Sequence, residues 1–304
     1  MEVDPCVLQE SPEPSIQQLW DLETIGIKEE KFTPTERETV ESFSQTIHYD
    51  GRKYWARLPW RIDPSMLPTN FRMAVGQLGS LHQQLRRRPD KLQHYQKVID
   101  EYLQNDFIEE VVDHGVRGHY LPHHGVAKDS VTTPLRIVFN ASAKAKSNDL
   151  CLNDVLDTGP SLTEKLLDSL LNFRVGKFAI VGDISKAFLR IGLQEIDRDY
   201  VRFLWATDPD SPVRTYRFKS VLFGSTSSPF LLQATLFKHF ETYDPKLRDI
   251  LISSFYVDNF QHTLDDESLL PDLQKKTTEM SCKSRHALTG MELQFSRVQP
   301  SVGG

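Results

Sequence analysis

Apolar residues recur at helical spacing in the first third of the chain and predict two long helices there. One predicted helix covers 70–88, and the second covers 89–112 with Pro89 in its first turn, where proline is tolerated. Shorter patterns predict further elements, namely helices over 15–22 and 35–43 and a strand over 53–58.

Short apolar runs become more frequent after about residue 120, and they predict strands mixed with helices. The runs 125–128 and 135–139 flank a polar turn and predict a β-hairpin. Further strands are predicted over 178–181, 200–205, 215–218, 251–257, 260–264 and 291–295, and further helices over 161–171, 228–243 and 267–285. Asp258-Asn259 is the predicted turn between two of these strands. Because strands and helices do not alternate as regular βαβ units, the pattern favours an α+β fold over a doubly wound sheet.

The composition is that of a folded chain and excludes several classes of protein. The chain has 304 residues, 39% hydrophobic and 26% charged, which excludes a disordered acidic chain, a collagen-like repeat and a coiled coil. The formal net charge of −6 means that any nucleic-acid binding must depend on a local basic surface. The three cysteines have no C-x-x-C spacing, no apolar run is long enough to span a membrane, and the acidic first residues do not resemble a signal peptide. We therefore expect an intracellular, cytoplasmic chain with no membrane partner.

Two aspartates that end apolar runs are the sharpest candidates for chemistry. Asp183 follows the apolar run 179–182, and Asp258 follows the apolar run 255–257. A carboxylate in such a place is costly unless it is paired or binds a metal. Two carboxylates on neighbouring strands can hold divalent cations. Taken alone, Asp258 also fits a hairpin turn, and Asp183 also fits a helix N-cap.

The order of the motifs along the chain is more specific than any one of them. The series comprises 19–27, 58–60, 120–126, 135–144, 152–156, 158–160, 183–188, 223–232 and 256–259. This series resembles the fingers and palm of reverse transcriptases, and more specifically the polymerase segment of Pao/BEL-type LTR retrotransposon polyproteins. The resemblance covers nearly the whole chain.

The resemblance implies nucleotidyl transfer from a deoxynucleoside triphosphate to the 3′-end of a primer on an RNA or DNA template. Asp183 and Asp258 would be the catalytic residues and would bind Mg²⁺ or Mn²⁺ together with Asn259. Phe188 would be a steric gate that favours deoxynucleotides. Tyr256 and Val257 would complete the second acidic motif. Other residues would contact the nucleotide, namely Lys128, Arg136, Ile184, Phe223 and Gly224.

The resemblance also implies a division into a connector over 1–50, a fingers–palm domain over 51–290 and a short segment over 291–304, with the thumb largely missing. The remaining parts of a polyprotein are expected as partners. Asn259 and Asn140 depart from the family pattern, since an acid is expected at each position. An amide carries no charge and is a weaker cation ligand. A catalytically inactive nucleic-acid or protein interaction module is therefore the alternative function.

Several patterns also allow a purely structural interpretation. From the residues alone, Phe188 fits core packing, Arg136 a solvated face and Gly224 a turn. The run 157–159 has the sequence of the active-site triplet of retroviral-type aspartic proteases, but the short gap to the following apolar-glycine run disfavours that activity. A cluster near the predicted hairpin could bind zinc, although a structural loop is favoured; it comprises Asp113, His114, His119, His123 and His124. A basic run could contact nucleic-acid phosphates or form a solvated helix end; it comprises Arg86, Arg87, Arg88 and Lys91.

Overall fold

Helices and small antiparallel sheets mix along the chain, so the predicted α+β class is confirmed. The structure, a computed structural model, describes residues 32–112, 118–127, 135–162, 166–208, 210–269, 271–273, 275 and 293–298. The predicted helix over 15–22 and most of the one over 267–285 lie outside the described residues.

The first described helix begins at a complete capping box, which explains its position. Helix α1 is Pro34–Thr46. The Thr33 hydroxyl accepts a hydrogen bond from the Glu36 N–H at 3.3 Å, and the Glu36 carboxylate accepts one from the Thr33 N–H at 2.8 Å. The predicted helix over 35–43 is confirmed. The following strands β1 (His48–Tyr49) and β2 (Tyr54–Ala56) form a small sheet with β7 (Gly192–Leu193).

The two long predicted helices are present, but the second ends earlier than the pattern predicts. Helix α2 is Phe71–Arg86 and α3 is Pro89–Gln104. Asp106 then adopts a left-handed φ of +58°, which ends the helical path. Strand β3 (Ile108–Val111) follows and pairs with β9 (Arg214–Phe218), so the predicted helix to residue 112 is wrong there. Pairing with a distant strand, which the local pattern does not reveal, overrides the helical spacing.

The remaining strands form a hairpin and two larger sheets, and all pairings in them are antiparallel. The hairpin consists of β4 (His123–Ala127) and β5 (Leu135–Phe139), as predicted. A three-stranded sheet has the order β3-β9-β8, with β8 at Arg202–Trp205 and β9 at Arg214–Phe218. A four-stranded sheet has the order β10-β11-β6-β12, and its strands are β6 (Phe178–Ile184), β10 (Phe255–Tyr256), β11 (Asn259–Leu264) and β12 (Leu293–Val298).

Within the described residues, further helices connect these strands, namely α4 (Leu152–Val155), α5 (Leu166–Asn172), α6 (Glu195–Arg198), α7 (Ser228–Phe240) and α8 (Pro245–Ser254). The predicted strand over 251–257 is wrong up to residue 254, because those residues end α8. Asp244 caps this helix by accepting from the Leu247 N–H at 3.1 Å, and Pro245 occupies its first position. A short apolar run does not by itself distinguish a strand from a buried helical turn, so the cap decides.

The four-stranded sheet packs on α7 through a chain of buried aromatic rings. The Phe240 ring of α7 lies 5.4 Å from the Phe255 ring, which lies 5.3 Å from the Phe260 ring. All three side chains are buried. Burial of this face fixes the register of the sheet, since a slip by one residue would turn these rings to solvent. Among the described residues, no helix is long and apolar enough to cross a membrane.

Candidate active site

Strand pairing brings the two candidate aspartates to one end of the four-stranded sheet. Asp183 lies in β6 directly opposite Asn259 of β11, and Asp258 is the residue before Asn259. The Ile184 N–H donates to the Asp258 carbonyl oxygen at 3.0 Å, which extends the pairing into the turn. Residues directly opposite in an antiparallel pair project to the same face of the sheet. The side chains of Asp183 and Asn259 therefore share one face.

The turn that carries Asp258 differs from the predicted one and is strained. Tyr256 pairs with Asn259, so the turn residues are Val257 and Asp258, and Asn259 already belongs to β11. Val257 has a φ of +57°, which is a genuine outlier for a β-branched residue. Such strain persists only where the surrounding structure enforces it, and it is concentrated at functional sites. The strain at Val257 is therefore a reason to treat this turn as a candidate site.

Neither aspartate is buried, so the expectation that each carboxylate is costly because it ends an apolar run is wrong. Asp183 is exposed and is not a helix N-cap, because it lies within β6, and Asp258 is half-buried. The expected cost of burying these carboxylates is therefore small. Asn259 donates from Nδ2 to Oδ1 of Asp258 at 3.1 Å. One oxygen of the second candidate ligand is thus already engaged by the residue that replaces an expected acid.

The donor set at this end of the sheet fits a hard divalent cation. Mg²⁺ prefers oxygen ligands and is commonly held by one or two carboxylates together with substrate phosphates. Asp183 and Asp258 supply two accessible carboxylates, and Asn259 supplies an amide oxygen. No group of three or more His, Cys, Asp or Glu side chains suited to a metal occurs among the residues that the structure describes. Metal binding here would therefore rely on the two aspartates and on ligands from the substrate.

Three candidate nucleotide contacts form a row of side chains from the hairpin to the turn that follows β6. The Arg136 guanidinium carbon of β5 lies 4.5 Å from the centroid of the Phe223 ring. The Phe223 ring meets the Phe188 ring edge to face, with centroids 4.8 Å apart. Phe188 belongs to the short 3₁₀ turn Ala187–Arg190 after β6 and is 9% exposed. The structure thus brings Arg136, Phe223 and Phe188 together.

The loop that carries Phe223 and Gly224 is fixed by an asparagine to which the sequence assigns no role. Asn153 of α4 donates from Nδ2 to the Gly224 carbonyl oxygen at 3.2 Å and to the Ser142 hydroxyl at 2.9 Å, and its Oδ1 accepts from the Thr226 N–H at 2.9 Å. Gly224 has a φ of +96°, and a Cβ there would lie 2.8 Å from the Phe139 carbonyl oxygen. Glycine at this position therefore allows the loop to lie against the end of β5.

A second contact that the sequence does not indicate joins the site to the long helices. Lys186 follows β6 with a left-handed φ of +56°, and its ammonium group forms a salt bridge with Glu101 of α3. Both side chains are partly exposed, so the energetic contribution of the pair is small. Its effect is geometric, because it joins the turn after Asp183 to the helix that supports the hairpin.

The remaining candidate residues have mixed placements. Ile184 has a buried side chain and Tyr256 a half-buried one, whereas Lys128 lies outside the described residues.

Asp157 is engaged structurally, since its carboxylate accepts from the Gly159 N–H at 2.8 Å and from the Thr39 hydroxyl at 3.1 Å. Of the histidine cluster, His119 and His123 are buried and bond to backbone carbonyls, which agrees with the structural interpretation for these two residues.

Comparisons with known proteins give only a partial likeness. No protein-family model and no curated protein sequence matches this chain. Two solved structures of the foamy viral protease–reverse transcriptase, both in complex with double-stranded DNA, are similar to part of it. Each aligns with a TM-score of 0.42 and 16% sequence identity over 60% of this chain. The alignment covers 27% and 31% of the viral chains, so this chain spans less than one third of their length.

Proposed function

We propose that this chain is the fingers–palm part of an RNA-directed DNA polymerase from an LTR retrotransposon of the Pao/BEL type. The observation that supports this most is the pairing of β6 with β11, which holds Asp183 and Asp258 at one end of one sheet beside a strained turn. The substrates would be a primer on an RNA or DNA template and deoxynucleoside triphosphates. The other parts of the polyprotein would be its partners.

Each side chain of the site has a distinct task in the proposed reaction. Asp183 and Asp258 would hold Mg²⁺ or Mn²⁺, which when bound activates the attacking 3′-hydroxyl and stabilises the leaving pyrophosphate. The bond from the 3′-oxygen to the α-phosphorus forms, the proton of the 3′-hydroxyl passes to water, and the bond from that phosphorus to the bridging oxygen of pyrophosphate breaks. Arg136 would leave the Phe223 ring to contact the triphosphate. Phe188 would close the space that a 2′-hydroxyl requires.

Primer extension on poly(rA)·oligo(dT) tests this function. We expect the wild-type chain to extend the primer in Mg²⁺ or Mn²⁺ and Asp183→Asn to lose extension by about a thousandfold, because one charged metal ligand is removed without a change of shape. Asp265→Asn is the matched control, since Asp265 is exposed just beyond β11 and should leave extension unchanged. Extension that persists in Asp183→Asn would contradict the proposed site.

One observation favours the alternative of a catalytically inactive binding module. The Asn259 amide engages Oδ1 of Asp258, and it stands where a third acid is expected. If the chain is such a binding module, neither the wild type nor Asn259→Asp would extend a primer. Salt-dependent binding of primer–template would survive Asp183→Asn.

Phe223→Leu is expected to lower the preference for deoxynucleotides over ribonucleotides by about fivefold. The edge-to-face contact of Phe223 with Phe188 is worth on the order of 1 kcal/mol and holds the gate ring in place. The measurement is the ratio of incorporation efficiencies for dTTP and UTP on the same template. Phe223→Tyr keeps the ring and should keep the ratio, so an equal loss in both variants would contradict the role of the aromatic contact.

A further inference from the structure

The turn that follows β6 contains a lysine in a strained backbone conformation. Lys186 lies three positions after Asp183 and two before Phe188, between two residues of the candidate active site. Its φ of +56° is in the left-handed region, which residues with a Cβ seldom adopt. Strain of this kind persists only where the surrounding structure enforces it, and it is concentrated at functional sites. The conformation is therefore a reason to assign a function to Lys186.

A carboxylate of the neighbouring long helix holds the ammonium group of Lys186. The group forms a salt bridge with Glu101 of α3, and the two side chains are 31% and 42% exposed. Water competes for both partners at this exposure, so the pair is weak. A lysine ammonium is a point charge on a flexible four-carbon stem. Lys186 can therefore exchange Glu101 for a more highly charged anion at little cost.

Glu101 also lies close to Arg136, the other cation of the candidate active site. Burial raises the pKa of Tyr102, the next residue of α3, to about 12. The charge of Glu101 acts in the same direction, and the charge of Arg136 opposes it. Helix α3 packs against β5, the strand that carries Arg136. The end of α3 thus places one acid near two cations, Arg136 and Lys186.

A row of aromatic rings connects the two cations. The Arg136 guanidinium carbon lies 4.5 Å from the centroid of the Phe223 ring, and this ring lies 4.8 Å from the Phe188 ring. Lys186 is the N-cap residue of the short 3₁₀ turn that contains Phe188. Arg136 is thus held by an aromatic face and Lys186 by an exposed carboxylate. Phosphate oxygens bind either cation more strongly than these partners do.

We propose that Lys186 is a second phosphate-binding cation of the nucleotide site and that Glu101 holds it while no nucleotide is bound. The inference rests on the proposed function for the identity of the ligand, a deoxynucleoside triphosphate. Mg²⁺ neutralises only part of the charge of a triphosphate, and cations of the chain neutralise the rest. Arg136 supplies one of these charges and Lys186 the second. Glu101 is left exposed to water when Lys186 moves, so its release costs little.

Calorimetric titration of the full chain with dTTP in Mg²⁺ tests the proposal. Primer and template are left out, so that no phosphoryl transfer can occur. Lys186→Gln is expected to weaken dTTP binding by about tenfold, since a charged contact with phosphate is lost. Glu101→Gln is expected to tighten dTTP binding by about threefold, since it releases Lys186. A salt bridge that only supports the fold would change the affinity in the same direction in both variants.

Further variants separate the salt bridge from a general change of charge. Glu101→Gln added to Lys186→Gln should have no further effect, because Glu101 acts through Lys186. Asp90→Asn removes the same charge at the exposed other end of α3, roughly 16 Å along the helix axis from Glu101, and should leave binding unchanged. Inorganic tripolyphosphate, which has the phosphates without a base or a sugar, should give the same order of affinities as dTTP.

Each outcome supports or overturns the proposal. Weaker binding in both single variants, or unchanged binding in Lys186→Gln, would overturn it. Tighter binding in Glu101→Gln that persists without Lys186 would assign the effect to general electrostatics and would also overturn it, as would a lack of dTTP binding by both the wild type and Glu101→Gln. The expected order of affinities in a chain that does not extend a primer would support the role of Lys186 and reject only the proposed polymerase activity.

Discussion

Asn259→Asp is expected to lower the Mg²⁺ concentration for half-maximal primer extension by about tenfold, because the number of charged ligands tunes the affinity of such sites over decades. Asn259 is exposed and lies opposite Asp183 in the paired strands. The substitution adds a carboxylate on the face that carries Asp183. It also removes the amide donor that now engages Oδ1 of Asp258 at 3.1 Å. Both changes favour a bound cation.

Without metal, the same substitution should destabilise the protein, since it adds a third negative charge to a cluster of two. Thermal unfolding with and without Mg²⁺ therefore provides a second readout, and the Mg²⁺-dependent rise in Tm should be larger in Asn259→Asp than in the wild type. Asn259→Ser removes the amide donor without adding charge and separates the two causes. Asn148→Asp, at an exposed position of the loop before α4, controls for the change of charge alone. An Mg²⁺ requirement that is the same in Asn259→Asp and the wild type would contradict the assignment of Asn259 to the metal site.

The sequence predicts the local elements of the site better than their assembly. The apolar run before Asp183 and the hairpin around Arg136 are both present, because burial of alternate residues dictates those strands. The failures lie where a local pattern fits both a helix and a strand, and strand pairing decides in one case and a helix cap in the other. Residues 108–111 continue a helical spacing but pair with β9 instead, and residues 251–254 resemble a strand but complete a helix that Asp244 caps.

The contacts that organise the site lie beyond the reach of a pattern along the chain. Asn153 and Gly224 are 71 positions apart in the sequence, and Lys186 and Glu101 are 85 positions apart. Nothing in the residues around Asn153 distinguishes an amide that fixes a distant loop from one that faces solvent. Hydrophobic periodicity does not fix the register that places Asp183 opposite Asn259. The strain at Val257 is equally invisible in the sequence, since valine is an unfavourable residue for a left-handed turn position.

Acidification from pH 6.5 to pH 4 is expected to remove about 3 kcal/mol of stability through His123 alone. This side chain is buried among aromatic rings, with the Phe139 centroid 5.3 Å and the Phe203 centroid 5.5 Å away. Its Nε2 lies 2.8 Å from the Leu204 carbonyl oxygen, which can only accept, so Nε2 carries the proton. Its Nδ1 therefore accepts from the Tyr95 hydroxyl. Both nitrogens of the neutral ring are therefore hydrogen-bonded.

Burial lowers the pKa of His123 from 6.5 to about 4, and repulsion from His124 and His82 acts in the same direction. Between these two pH values the unfolded chain binds a proton at this residue and the folded chain does not. The stabilising contribution is therefore complete above pH 6.5, falls as the pH drops through this window, and is lost below about pH 4. Protonation of Nδ1 in the folded state would also turn the acceptor of the Tyr95 hydroxyl into a donor.

Urea unfolding of the wild type and His123→Gln at several pH values between 7 and 4 measures this effect. The variant should be less stable than the wild type at pH 7, because glutamine cannot fill the ring's place between Tyr95 and Leu204. Its free energy of unfolding should then fall less steeply with pH, so that the difference between the two proteins shrinks by about 3 kcal/mol on acidification. His124→Gln, at the exposed neighbouring position of β4, should remain nearly parallel to the wild type. Parallel curves for His123→Gln and the wild type would mean that folding leaves the pKa of His123 unchanged, which would contradict this prediction.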